Sequence, residues 1–160
     1  MFAEVGLVFD MSMSQHDTGK GHPESAERLN HIKKGLNTSK LIEKLYPIQT
    51  SLAGDDWILS VHTPEYLEIV KQSVAKKLKT LPTGDVQLSN ESLTVARKAV
   101  GGVLNACDAV MNKKVKRAFC ALRPPGHHAE PNKGMGFCIF NNVAIAARYL
   151  QKKHNLKRIL

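Results

Sequence analysis

The chain has 160 residues, 42% apolar and 23% charged, enough to close one hydrophobic core and too apolar for a disordered tail. Its opening apolar run, Val5–Phe9, stops at Asp10, too short for a membrane span or a secretory leader, so a cytoplasmic setting (nuclear if eukaryotic) is the default. Three cysteines without a Cys-x-x-Cys pair argue against a disulfide framework or a cysteine zinc knuckle, and the net charge of +9 is spread over lysine pairs such as Lys76-Lys77 and Lys113-Lys114, the pattern of a solvated face.

Short apolar runs alternate with helical periodicity, which predicts an α/β domain with a mainly parallel sheet. The first strand is expected at Gly6–Phe9, followed by a polar loop from Ser12 to Pro23. A helix follows, with Ala26, Leu29, Ile32 and Leu36 on one face. A short strand is expected at Pro47–Gln49, and Asp55-Asp56 open a short helix with acidic residues at its positive end. Thr63 and Pro64 are a cap and a first helical residue, after which Leu67, Val70, Val74 and Leu78 form a stripe.

Ser89–Asn112 reads as the longest helix, and Gly101-Gly102 in its middle cost helix propensity, so they are expected to permit close packing. Ala118–Leu122 reads as a buried strand, then comes a loop from Arg123 to Gly136. A last helix, Asn141–Lys153, has an alanine-rich face suited to packing on a sheet. Arg158-Ile159-Leu160 read as the start of one further strand, so the chain looks cut short there.

The loop after the predicted Ala118–Leu122 strand carries the chemistry. It contains Arg123-Pro124-Pro125-Gly126-His127-His128 and then Gly136-Phe137-Cys138-Ile139-Phe140-Asn141-Asn142, at the carboxyl edge where open α/β sheets place their sites. A loop entered through Pro-Pro-Gly can present both imidazoles to one pocket, where two rings in different surroundings divide proton transfer between them. An isolated His-His pair is more often a surface pair or a stray metal-affinity spot.

These two segments resemble the histone deacetylase superfamily, its class II-like and bacterial members in particular. The resemblance extends to His22-Pro23-Glu24 with Arg28-Leu29, to Val61-His62-Thr63-Pro64-Glu65-Tyr66-Leu67, and to Ser89–Val103, in the family's order. It implies a three-layer, arginase/deacetylase-like α/β fold, here incomplete, and zinc-dependent hydrolysis of acetyl-lysine amides. Acetylated polyamines or other small amides are an alternative substrate class, and a non-catalytic remnant acting by binding is another reading.

Carried over by residue, the resemblance makes His128 the general base and then acid and His127 its partner. Phe137 becomes a wall of the acyl-lysine tunnel, although core is its competing role. Gly136 marks the place where a carbonyl approaches the substrate amide, or simply a turn. Arg28 becomes a buried arginine at the base of the pocket, or a helix-face ion pair. Asp85 is a candidate at the rim, or a turn former. His16, His22 and His62 read as loop or packing histidines. The family's zinc ligands, an Asp-x-His pair and a later Asp, match nothing here and are expected beyond Leu160, as are most ligands of a structural K+. Expected partners are an acetylated protein or polyamine and, through uncovered sheet, a second copy; no nucleic-acid motif and no membrane segment is read.

Overall fold

In the computed structural model, which describes residues 3–160, the first apolar run forms β1 (Ala3–Phe9). It lies between β2 (Tyr46–Ile48) and β3 (Val115–Ala121), and both pairings are parallel, with Val8 opposite Ile48 on one side and Cys120 on the other. A central parallel strand is buried on both faces, which explains why Leu7 and Val8 are adjacent and both buried.

Five helices accompany the sheet among the described residues: α1 (Glu27–Thr38), α2 (Asp55–Ile58), α3 (Pro64–Ala75), α4 (Ser92–Met111) and α5 (Asn142–His154). Part of the expected Ser12–Pro23 loop is instead a 3-10 turn, Met11–Gln15, whose cap Asp10 accepts from the Ser12 N–H at 2.8 Å. The start of α3 follows its capping signals, with the Thr63 side chain accepting from the Tyr66 N–H. The glycine pair of α4 does what its spacing predicts. A Cβ on Gly101 would collide with the Ser51 carbonyl, and one on Gly102 would come within 2.9 Å of Val8 Cγ1, so the helix lies directly on the sheet.

The structure departs from the expectations in four further places. Leu78 leaves the α3 stripe and is 40% exposed, because the helix ends at Ala75 and Lys77 turns left-handed. β3 is an edge strand, not a buried one, and Phe119 is 54% exposed. α5 packs chiefly on α4 rather than on the sheet, with Ile145, Ala146 and Tyr149 buried. Residues 158–160 form no strand; after the left-handed Asn155 the Leu156 N–H folds back to Leu150 O at 3.3 Å, and no strand lies outside β3 among the described residues.

The largest core cluster joins α3, α4 and α5 through residues such as Val70, Val100 and Ile145 and runs into the loop after β3 through Ile139 and Phe140. The loop that carries the chemistry is therefore anchored at its far end by core packing.

Candidate active site

β3 ends at the carboxyl edge of the sheet and the chain turns into Arg123, the largest of the fully buried side chains. Its guanidinium makes a bidentate pair with Glu24, Nε to Oε1 and Nη2 to Oε2, both at 2.9 Å. Nη1 donates to the carbonyls of Met13 at 3.0 Å and His16 at 2.5 Å. A charge is tolerated at this depth because each donor is matched, and the fork geometry ties the start of the His-His loop to the loop before α1.

His127 and His128 follow, both exposed, their ring centroids 4.2 Å apart and tilted by 52°. The His128 ring lies over Gly136, where an added Cβ would come within 2.7 Å of His128 Cδ2. Gly136 and Phe137 are the central residues of a turn closed by Cys138 N–H to Met135 O at 3.0 Å, and both have positive φ, +55° and +66°. Glycine adopts that conformation freely; an aromatic residue there is unusual and typical of a functional loop.

The turn presents Phe137 half-buried beside His22, edge to face at 4.6 Å, and outside the core clusters. Phe137 also lines a hollow of about 260 Å³ together with Pro23, Glu24, Arg28, Leu122 and Pro125. Asp85 reaches the same turn from the loop before α4, its Oδ1 accepting the Gly136 N–H at 2.7 Å.

Five of the six candidate residues thus meet around one loop. Arg28 needs correcting: it borders the hollow, but its side chain is 43% exposed, not buried. It donates to Leu122 O at 2.6 Å and lies 3.7 Å from Glu24, so the helix-face contact describes it better. The buried arginine is Arg123, whose place at the head of the Arg123–His128 motif carries no signal of its depth.

Of the other histidines, His16 and His62 are buried packing residues. His16 is 1% exposed, its Nδ1 2.8 Å from Ser92 Oγ. Burial, with the nearby Arg123 charge, pushes its pKa down to about 4, although Glu24 at 3.7 Å pulls the other way. His16 is therefore neutral at pH 7, and the charged pair is Arg123–Glu24. Because the unfolded chain binds this proton at its ordinary pKa near 6.5, stability contributed by neutral His16 is complete above that pH. It declines as pH falls toward 4, by about 3 kcal/mol over the whole window. Urea unfolding at pH 7 and pH 5 is expected to show this loss in the wild type and a flatter profile in His16→Gln; equal slopes would contradict it.

Among the described residues no group of three or more His, Cys, Asp or Glu side chains is placed to hold a metal. The donor set explains this. His16 and His62 are committed to Ser92 and to the loop backbone. Burial raises the pKa of Cys107, Cys120 and Cys138 and keeps them as thiols. The residues present do not fit a zinc site.

A histone deacetylase domain model matches residues 22–160. The chain is similar to histone deacetylase 6 of Caenorhabditis elegans, 39% identical over 87% of this chain and 16% of that protein. The polyamine deacetylase HDAC10 of Danio rerio is 36% identical over 100% of this chain and 25% of that protein. A probable deacetylase of Archaeoglobus fulgidus is 35% identical over 93% of this chain and 42% of that protein. The crystal structure of the HDA15 HD domain superposes with a TM-score of 0.87 at 29% identity, covering 94% of this chain and 44% of the other. The chain spans less than half the length of each of these proteins.

Proposed function

Since the chain belongs to the histone deacetylase family, we propose that it supplies the proton-handling and substrate-lining half of a zinc-dependent deacetylase acting on acetyl-lysine amides. The metal would be held by residues that this sequence does not contain. One observation carries the reading: two exposed imidazoles lie 4.2 Å apart at the carboxyl edge of β3, with His128 resting on Gly136 and Phe137 beside it.

In this reading His128 accepts the proton of the attacking water and later returns it to the departing amine, and His127 orients it and balances the charge it gains. Phe137 and His22 flank the acyl-lysine chain. Asp85, exposed and bonded to the backbone of Gly136, keeps one carboxylate oxygen for the substrate's backbone amides. Acetylated polyamines are the second substrate reading, supported by the similarity of the whole of this chain to a quarter of the Danio rerio polyamine deacetylase. The outer edge of β3, unpaired among the described residues and carrying exposed Phe119, is where copies of this chain would associate.

Fusing this chain to the segment of a relative that follows the matched region is expected to give zinc-dependent hydrolysis of acetyl-lysine peptides. A fusion that is folded and zinc-loaded yet inactive toward both peptides and acetylpolyamines would overturn the proposal.

A further inference from the structure

The segment Val61–Tyr66 has no part in the chemistry above, yet it makes the contacts that fix the catalytic loop. His62 is 2% exposed, with Nδ1 3.3 Å from Pro131 O, while Nε2 accepts the Asn141 N–H at 2.9 Å. Thr63 N–H donates to the same Pro131 carbonyl at 2.9 Å, and the buried Tyr66 hydroxyl donates to Ile139 O at 2.7 Å. Asn141 passes the constraint on: its Nδ2 donates to Ala129 O at 2.9 Å, one residue from His128. Of the loop's own bonds, Glu130 with Lys133 and Met135 with Cys138 close small turns, whereas Asn142 Nδ2 to Pro124 O at 3.4 Å and the Asn141 bond tie its start to its far end, and His62 and Tyr66 hold that far end from outside.

We infer that His62 and Tyr66 are positioning residues for the His127–His128 pair, in the reaction proposed above. An Nε2 that accepts requires a neutral ring with its proton on Nδ1, which aims that proton at Pro131 O. One imidazole thereby joins residues 131 and 141 of the loop, and burial, which lowers its pKa, favours the neutral form. Its ring packs against Tyr66 and Phe140 at 5.2 and 5.6 Å, so the clamp is seated on the core. Gly134 allows the close approach, since a Cβ there would meet the Tyr66 hydroxyl at 2.6 Å.

The test compares His62→Phe, Tyr66→Phe and His62→Gln with Val70→Ala, a variant in the buried α3 core that removes packing but none of the hydrogen bonds to the loop. In the 160-residue chain, ring NMR resonances of His127 and His128 are expected to shift and broaden in His62→Phe and Tyr66→Phe. They should stay in place in Val70→Ala and return in His62→Gln, whose amide can both donate and accept. In the completed domain, His62→Phe should lower kcat about 10–100-fold with KM changed less than about threefold, the cost of misplacing a catalytic group by roughly 1 Å. If His62→Phe and Tyr66→Phe change only Tm, as Val70→Ala does, the inference is overturned. Should His62→Phe not fold, Tyr66→Phe and His62→Gln decide. An inactive completed wild type would count against the proposed function alone, because the resonance arm uses this chain by itself.

Discussion

In a completed catalytic domain, His128→Ala is expected to lower kcat for acetyl-lysine hydrolysis by about 10²–10⁴-fold, the range for loss of a positioned general base. The reason is geometric. His128 is exposed and rests on a glycine turn rather than in the core, so removing its ring takes away a proton acceptor and disturbs little packing. Phe137 and Asp85, the groups proposed to hold the substrate, are untouched, so KM should change only slightly. Steady-state kinetics with a matched thermal melt separate these effects. A fall of less than tenfold, with the domain folded, would remove His128 from the role of base.

Arg123→Met is expected to cost about 3–5 kcal/mol of stability, the scale for breaking a buried ion pair by removing one partner. Methionine fills much of the same volume, but the Glu24 carboxylate, 6% exposed, loses its bidentate partner, and the carbonyls of Met13 and His16 lose their donor. Against a total stability of about 5–15 kcal/mol such a loss leaves the chain marginal or unfolded. Pairing it with Glu24→Leu should recover a substantial part, since an uncharged pair leaves no orphaned carboxylate. Urea unfolding of the single and double variants measures this; a loss below about 1 kcal/mol for Arg123→Met would show that the pair is not structural.

What was legible in the sequence was local. The Thr63-Pro64 cap, the apolar run of β1 and the glycine pair of α4 each declare themselves within a few residues, and the structure follows them. The site candidates came from a continuous motif for the same reason. What was missed depends on separation along the chain. Arg123 and Glu24 meet across 99 positions, and nothing near either residue announces the other. Arg28 lies in a motif whose neighbours point to the buried place, whereas the deeper seat belongs to Arg123, whose fork reaches Glu24 from just beyond the end of β3. His62 read as an ordinary packing histidine, since its partners are backbone atoms of Pro131 and Asn141, which carry no side-chain signature. β3 read as buried because its apolar content is high, whereas burial depends on a neighbour, and none lies on its outer side among the described residues.

In the proposed function this chain holds one half of a catalytic site, its proton-handling half. The direct test is metal content and acetyl-lysine hydrolysis of the purified 160-residue chain after equilibration with zinc and gel filtration. Well under one zinc per chain and no hydrolysis above buffer are expected, because among the described residues no third metal-ligating side chain stands with His127 and His128. One tightly bound zinc per chain, together with turnover abolished by His128→Ala, would contradict it.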